Sequence, residues 1–248
     1  MRWSLIVEPE GRPGHQQMAT DDALLRSARE GVAYLRLYAW RPPCLSFGRN
    51  EPAAQRYDRR RIAALGLDTV RRPTGGRAVW HDAEVTYAVA GPAALFGSLP
   101  ATYRAIHTML AEALRRLGVP ASLARRRAPI LPSAGACFAA PVGGEIVVRD
   151  RKLVGSAQVR EGGAFLQHGA ILLQDGQDVV SSITLGPVPS SAATSLGAAL
   201  GRDVTFAEIA AAIAEAAWHA WPGTWAEAAP PQLEGSGRYA DPAWTWRS

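Results

Sequence analysis

Short runs rich in apolar residues recur through the first 90 positions of the chain, and one of them, residues 84–89, has apolar residues at every other position. An alternation of period two is typical of β-strands that bury one face. We predict strands at residues 3–7, 33–38, 44–47, 67–70 and 84–89, and helices at residues 16–29 and 52–65. A first helical turn tolerates Pro52, and Gly66 is a suitable end for the second helix. Strands and helices therefore alternate early in the chain.

The later part of the chain combines a strong helical period with closely spaced strands. Apolar residues recur at steps of three and four after residue 100, which predicts an amphipathic helix that covers a sheet. These apolar positions are Tyr103, Ile106, Leu110, Leu114 and Leu117. Strand-like runs at residues 145–148, 153–159 and 164–173 are separated by short turns, which favours antiparallel pairing. A last helix begins at Thr205, and Glu208 completes a capping box.

These patterns predict an α+β fold with a mixed, largely antiparallel sheet and packed helices. The chain has 248 residues, of which 48% are hydrophobic, so it can bury one substantial core. We predict one domain over residues 1–222 and a tail rich in Trp and Pro over residues 223–248. Dense tryptophans seldom remain in water, so we expect the tail to pack on the domain.

Composition narrows the class of protein. The net charge is +5 and the pI is about 9.7, which favours acidic partners. The chain has no zinc-ligand spacing and no aromatic RNA-binding signature, so we do not expect nucleic acid binding. Neither a secretory leader nor a run of about 20 apolar residues is present, which predicts a cytoplasmic protein without a membrane span. Cys44 and Cys137 are then expected to be free thiols.

Candidate chemistry is concentrated in the stretch RRPTGGRAVWHD at residues 71–82. A strand leads into this turn and another leaves it, so the turn lies at an edge of the sheet. Gly75 and Gly76 permit positive φ angles and a close approach of the backbone to a ligand. Arg71, Arg72 and Arg77 offer planar groups that bind phosphate or carboxylate. An ordinary hairpin with solvated arginines is the alternative interpretation.

A second candidate is Lys152, which is the only lysine among the 27 basic residues of the chain. An ammonium group is a compact point charge that suits a narrow polar pocket. Lys152 opens the string KLVGSAQ at residues 152–158, and LQHG follows at residues 166–169. Chance retention of one lysine is the alternative.

Together these strings resemble the lipoate/biotin protein ligase superfamily, whose signature has the form RRx(S/T)GGxAVxHD. Cys137 lies in an Ala-Cys-Phe context fifteen positions before Lys152, and Arg77 stands in place of a third glycine. Both features resemble the octanoyltransferases of the superfamily that use a cysteine nucleophile. The resemblance implies the fold of the superfamily's ligase catalytic domain.

The resemblance also implies a reaction. Cys137 would take an octanoyl group from acyl carrier protein as a thioester, and Lys152 would polarise the carbonyl group. A lysine of a lipoyl-accepting protein, such as the glycine cleavage H protein or a dehydrogenase E2 lipoyl domain, would receive the acyl group. No cofactor is expected for this reaction. The implied substrate-binding residues are Arg49, Arg71, Arg72, Thr74, Gly75, Gly76, Arg77, His81, Gly155, Ser156, Ala157 and His168.

Several alternatives remain open from the residues. The chain could be a lipoate-protein ligase, which would need ATP and magnesium, or a noncatalytic protein that binds an acyl group or a lipoyl domain. Without the resemblance, Cys137 would be interpreted as a buried, inert thiol. His81 and His168 could carry protons or serve only the structure. His81 and Asp82 point to opposite faces of an extended chain, so they cannot pair directly. No P-loop, metal-binding spacing or Gly-x-Ser-x-Gly motif occurs.

Overall fold

The computed structural model describes residues 1–28, 31–125, 143–187 and 191–247. The strands are β1 (Arg2–Arg12), β2 (Val32–Trp40), β3 (Cys44–Phe47), β4 (Asp68–Arg71), β5 (Val79–His81), β6 (Glu84–Pro92), β7 (Ser122–Leu123), β8 (Ile146–Val148), β9 (Arg151–Lys152), β10 (Val154–Glu161), β11 (Ala164–Leu172) and β12 (Thr224–Glu227). The α-helices are α1 (Gly14–Ser27), α2 (Ala53–Arg56), α3 (Arg59–Ala64), α4 (Leu99–Arg116), α5 (Asp178–Ile183), α6 (Leu196–Leu200), α7 (Phe206–Ala220) and α8 (Pro242–Thr245).

A six-stranded sheet with the order β10-β11-β6-β2-β1-β12 forms the centre of the protein. The pairs β10–β11, β11–β6 and β6–β2 are antiparallel, whereas β1 runs parallel to both β2 and β12. Two small sheets, β4-β3-β5 and β7-β8-β9, accompany it. The predicted fold class, a mixed and largely antiparallel sheet with packed helices, is confirmed.

The two faces of the central sheet carry different helices. Val85, Tyr87 and Val89 of β6 share one buried cluster with apolar residues of α4 and α7. Ala88 and Ala90, which point to the opposite face, share a second cluster with residues of α1. We call these the α4 face and the α1 face. Because side chains alternate along each strand, neighbouring residues contribute to opposite faces and therefore to different sites.

The single helix predicted over residues 52–65 is wrong, because two short helices occupy this stretch. Tyr57 between them is extended and forms an isolated bridge with Thr184. Asp58 then caps α3, since its side chain accepts a hydrogen bond from the backbone N–H of Arg61. A tertiary contact therefore interrupts a sequence that has helical propensity throughout.

The predicted start of α7 agrees with the structure. The Thr205 hydroxyl accepts a hydrogen bond from the backbone N–H of Glu208 at 3.2 Å, which satisfies one of the free donors in the first turn. The helix then presents Ile209 and Ile213 to the same buried cluster as α4.

The residues after α7 contact the rest of the described chain at two places. Strand β12 extends the central sheet by pairing with the start of β1, and the Trp3 and Trp225 rings stack with centroids 5.0 Å apart. Farther on, α8 packs beside β4, where the Trp244 indole N–H donates to the carbonyl of Arg71 at 3.1 Å. In the part of the chain that the structure describes, no helix combines the length and apolar character needed to cross a bilayer.

Candidate functional site

The turn after β4 passes close over the end of β3. The backbone N–H of Arg49 donates to the carbonyl of Thr74 at 2.7 Å. A Cβ atom on Gly48 would lie 2.0 Å from the carbonyl oxygen of Gly76, so only glycine allows the two segments to meet. Gly76 itself has a φ angle of +94°, in the region that favours glycine. The geometry of the Gly-Gly turn therefore depends on a third glycine, which directly follows β3.

Arg71 is fully buried and holds separate parts of the main chain together. Its guanidinium donates to the carbonyls of Gly48 and Glu51 at 2.8 and 2.7 Å. It also donates to the carbonyls of Trp244 and Arg247, each at 2.8 Å. The structure thus places Arg71 between the segment after β3 and the C-terminal residues.

Arg72 points to the opposite side and borders a cavity on the α1 face, whereas Arg71 does not border it. Its guanidinium donates to the Ser46 hydroxyl at 2.6 Å and to the carbonyls of Gly75 and Arg77 at 3.1 and 2.8 Å. The side chain of Arg77 forms an ion pair with Glu51 at 3.5 Å. Arg72 therefore stiffens the turn while part of its side chain borders the cavity.

This cavity on the α1 face is narrow. The open space within it and its mouth is about 340 Å³, but its cavity volume, the space open to the centre of a water molecule, is only about 20 Å³. Side chains of α1, β2 and β5, among them Met18, Trp40 and Val79, form much of an apolar wall. Six predicted substrate-binding residues border this cavity: Arg72, His81, Gly155, Ser156, Ala157 and His168.

The other predicted substrate-binding residues lie outside this wall. Thr74 contacts the cavity residue His168, and Gly75 and Gly76 shape the turn. The side chain of Arg49 is 40% exposed and forms an ion pair with Glu161 at 3.7 Å. Arg71 and Arg77 make the contacts given above. The structure therefore brings about half of the predicted set to one cavity.

A chain of buried hydrogen bonds begins at His168. Its Nε2 lies 2.6 Å from the Thr74 hydroxyl, and its Nδ1 lies 2.8 Å from a carboxylate oxygen of Asp21. Asp21 in turn accepts from Arg36 at 2.7 Å and from the Tyr38 hydroxyl at 3.0 Å. The network thus connects the turn to α1 and β2.

Burial is the largest influence on the pKa values of both His168 and Asp21. It lowers the pKa of the His168 imidazole, and the contact with Asp21 partly opposes that shift. Burial alone would raise the pKa of Asp21, but hydrogen bonds and charges from His168 and Arg36 together hold it below its ordinary value. The carboxylate of Asp21 therefore stays ionised in a fully buried position.

His81 has the same arrangement of partners. Its Nε2 lies 2.6 Å from the Ser46 hydroxyl and its Nδ1 lies 2.8 Å from Glu84. Because the Ser46 hydroxyl accepts from Arg72, its own proton is available to Nε2, and Nδ1–H then donates to Glu84. The ring also stacks on Trp40 with centroids 4.1 Å apart. Protein groups therefore contact both ring nitrogens of His81, as they do in His168.

Lys152 lies beside the α4 face. Its ammonium group is 2.6 Å from a carboxylate oxygen of Glu145, and the two side chains are 2% and 7% exposed. Sequence analysis missed Glu145, although it stands at the start of a predicted strand. Lys152, the only lysine in the sequence, therefore forms a buried ion pair with the carboxylate of Glu145.

Cys137, the predicted nucleophile, lies outside the described residues, which stop at Arg125 and resume at Gly143. The described chain on the two sides is held together by backbone pairing. The N–H of Gly144 donates to the carbonyl of Ala124 at 2.9 Å, and the N–H of Ala124 donates to the carbonyl of Glu145 at 2.7 Å. Both flanks of the Cys137 stretch therefore meet next to the carboxylate that contacts Lys152.

His107 of α4 is a second residue that sequence analysis missed. Its Nδ1 lies 2.7 Å from the carbonyl oxygen of Gly144, and its Nε2 lies 2.9 Å from the Ser156 hydroxyl. Burial lowers the pKa of His107 to about 4, and the positive charge of Lys152 acts in the same direction. His107 could have been identified from its position four residues after Tyr103, on the same face of the predicted helix.

Cys44, the other cysteine, is fully buried in β3. Burial raises the pKa of its thiol well above the ordinary value, and the nearby Asp68 raises it further. A thiolate is therefore strongly disfavoured at this position. Within the described ranges, no group of three or more His, Cys, Asp or Glu residues is placed to hold a metal ion.

Comparison with known proteins defines the class. Residues 13–217 match the model of the lipoyl protein ligase A/B catalytic domain, and the chain belongs to this family. The bipartite lipoate protein ligase of Thermoplasma acidophilum superposes with a TM-score of 0.76 at 19% identity, covering 98% of this chain and 96% of that one. A lipoate-protein ligase A bound with ATP gives a TM-score of 0.77 at 22% identity, covering 98% and 94%. At these identities the likeness concerns the fold.

Relatives within the family are closer in sequence. The octanoyltransferase LipM of Kyrpidia tusciae is 44% identical over 181 residues, which cover 69% of this chain and 66% of that protein. The octanoyltransferase LipM of Moorella thermoacetica is 40% identical over 191 residues, covering 74% and 70%. The match to the Kyrpidia protein thus spans slightly less than two thirds of that protein's length.

Proposed function

We propose that this protein is an octanoyltransferase of lipoate biosynthesis that works through a thioester on Cys137. The observation that carries the proposal is the buried Glu145–Lys152 pair at the point where the two flanks of the Cys137 stretch meet. The similarity to octanoyltransferases supports the same activity.

The choice of nucleophile follows from the two cysteines of the chain. Cys44 is buried and its raised pKa disfavours the reactive thiolate. Cys137 is the remaining thiol. The described chain on both sides of it is held beside Lys152, whose ammonium group can stabilise negative charge on an acyl oxygen.

The reaction has two balanced steps. The Cys137 thiolate attacks the carbonyl carbon of the octanoyl thioester, and the carrier sulfur leaves as a thiolate with the electron pair of the broken C–S bond and then takes up the proton that Cys137 lost. An amine of the acceptor protein then attacks the new thioester. An amide forms, the amine loses one proton, and the Cys137 thiol is regenerated. Since both steps exchange an existing acyl bond, neither requires a nucleotide.

The proposed partners are octanoyl-acyl carrier protein as donor and a lipoyl-accepting protein as acceptor, such as the glycine cleavage H protein or an E2 lipoyl domain. The apolar cavity on the α1 face would hold the octanoyl chain, with the carbonyl end at Ser156, which borders the cavity and contacts His107 on the side of Lys152. Because its cavity volume is small, wall residues must move to admit the chain, and Met18 has the flexible side chain that allows this. The cytoplasmic location stays a prediction.

Two reactions test the proposal. One contains octanoyl-carrier protein without ATP, and the other contains free lipoate with ATP. The intact mass of the acceptor protein should increase only in the first. The enzyme itself should gain a hydroxylamine-sensitive octanoyl group, which Cys137→Ser should abolish and the matched cysteine variant Cys44→Ala should retain.

The rival functions give different results. Acceptor modification only with lipoate and ATP would establish the ligase instead. Acyl binding with neither an enzyme adduct nor acceptor modification would establish a noncatalytic protein. Full activity of Cys137→Ser would eliminate the covalent step.

A further inference from the structure

His107 lies at a junction where three parts of the protein meet on the α4 face. Its Nδ1 contacts the carbonyl of Gly144, and its Nε2 lies 2.9 Å from the Ser156 hydroxyl and 3.3 Å from the Tyr87 hydroxyl. Tyr103 covers the ring, with centroids 4.0 Å apart. One imidazole therefore connects α4, the strands β6 and β10, and the backbone that leads into β8.

The partners define which nitrogen carries the proton. A carbonyl oxygen only accepts, so Nδ1 of His107 must be protonated and donate to Gly144. Burial lowers the pKa of the ring to about 4, so the ring is neutral near pH 7 and Nε2 accepts from a hydroxyl group. The tautomer of His107 is thereby fixed by its surroundings.

The bond to Gly144 bears on the Glu145–Lys152 pair. Gly144 has a φ angle of +91°, so its conformation is one that few other residues adopt. The next residue, Glu145, holds the Lys152 ammonium group at 2.6 Å. A shift of Gly144 would therefore move Glu145 and with it Lys152. Displacements of about 1 Å at a reacting group can cost about 100-fold in rate.

We infer that His107 is a positioning residue for acyl transfer, and that its Nδ1–H bond to Gly144 holds the Glu145–Lys152 pair in place. The inference rests on the proposed function. It concerns the α4 face, and it touches the cavity of the α1 face only through Ser156, which borders both.

Two substitutions of His107 distinguish the roles of its two ring nitrogens. His107→Asn keeps an N–H donor near the position of Nδ1, whereas His107→Gln places its amide near Nε2 and loses that donor. We expect His107→Gln to lower kcat about 10- to 100-fold, with KM for octanoyl-carrier protein within about two-fold, and His107→Asn to keep kcat within about three-fold. Met109→Ala, a buried control on the same helix, should lower thermal stability and leave kcat unchanged.

Amide hydrogen exchange gives a readout that does not depend on activity. Exchange at residues 143–148 should be faster in His107→Gln than in His107→Asn or the wild type. Folded His107→Gln with wild-type kcat, equal losses of kcat in both His107 variants, or unchanged exchange in His107→Gln would each overturn the inference.

A measurement on the unaltered protein covers the case in which His107→Gln does not fold. Nitrogen-15 NMR of the imidazole should show His107 neutral with its proton on Nδ1 at pH 7. A proton on Nε2 would overturn the inference, because Nδ1 could not then donate to Gly144. If the wild type transfers no octanoyl group, the proposed function fails, whereas the NMR and exchange results still decide whether His107 holds this backbone.

Discussion

Buried histidines on the two faces of the central sheet have similar hydrogen-bond partners, but the groups that accept from their rings differ in charge. On the α1 face, His168 and His81 donate to the carboxylates of Asp21 and Glu84. On the α4 face, His107 donates to the uncharged carbonyl of Gly144. In all three cases a hydroxyl group lies on the other ring nitrogen.

The difference in the acceptor decides what each histidine can do. A carboxylate favours the protonated ring and partly opposes burial, as Asp21 does for His168. A carbonyl supplies less opposition, and the nearby Lys152 disfavours a second positive charge. We therefore interpret the α1 face as a charged network that shapes a cavity, and the α4 face as a neutral support for one ammonium group.

Lys152→Met is expected to give the largest effect, and it tests the α4 face. Octanoyl transfer should fall about 100- to 1,000-fold, the range for loss of a group that stabilises an oxyanion. The single variant also leaves Glu145 buried without its ammonium partner. The double variant with Glu145→Gln should recover stability and remain inactive. Recovery of activity in the double variant would show that Lys152 serves only the structure.

Removing the charge at the centre of the α1 network tests the other face. Asp21→Asn should lower the free energy of unfolding by about 3 kcal/mol at pH 7, because Arg36 loses a buried carboxylate and keeps Glu8 as its charged partner. Urea unfolding measures this loss. Asp22→Asn, at the adjacent and more exposed carboxylate, is the control, and an equal loss there would contradict the assignment.

The same residue predicts a pH dependence. Because the folded pKa of Asp21 lies below its unfolded value of about 4, its contribution is complete above that pH and is lost as the pH falls through the folded value. The difference in stability between wild type and Asp21→Asn should therefore shrink in acid. A difference that stays constant down to acid unfolding would contradict the ionised state.

The neutral state of His107 predicts a linkage of the same sign at higher pH, since its unfolded pKa of about 6.5 lies above that of Asp21. Because its folded pKa of about 4 is below the unfolded value, the unfolded chain binds the proton first as the pH falls. Proton uptake by this residue in the unfolded chain should lower the free energy of unfolding by about 2 kcal/mol as the pH falls from 7 to 5. Denaturant unfolding at both pH values should show a smaller decrease in His107→Asn. The same decrease in that variant would refute the assignment.

The smallest effect is expected outside both networks. The side chains of Arg49 and Glu161 are 40% and 55% exposed and 3.7 Å apart. Arg49→Gln should therefore change stability by less than about 0.5 kcal/mol. Thermal unfolding in low and high salt would measure it. A loss as large as that of Asp21→Asn would remove the distinction between exposed and buried charges.

Much of the fold was predictable from periodicity. The strand at residues 44–47 and the apolar stripe of α4 were assigned correctly, because the pattern of each reflects local burial. The break between α2 and α3 was not predictable, since it depends on a bridge from Tyr57 to Thr184 in a distant part of the chain. Local propensity contains no information about such a partner.

In the candidate site, too, some residues were predictable from the sequence and others were not. Motifs identified Arg72 and His168, which border the cavity. They could not distinguish Arg72 from its neighbour Arg71, because the direction of each guanidinium depends on the alternation of a strand and on distant carbonyls. Glu145 and His107 belong to no motif and became candidates only through their contacts.

The hydrogen bonds of Arg71 have a consequence for the order of folding. Arg71 and Trp244 are 173 positions apart in the chain, and closing so long a loop is slow and entropically costly. Gly48, whose carbonyl Arg71 also contacts beneath the Gly-Gly turn, can therefore reach its final surroundings only after α8 has packed beside β4. Binding competence should arise late, together with the complete tertiary structure, rather than in an early local hairpin.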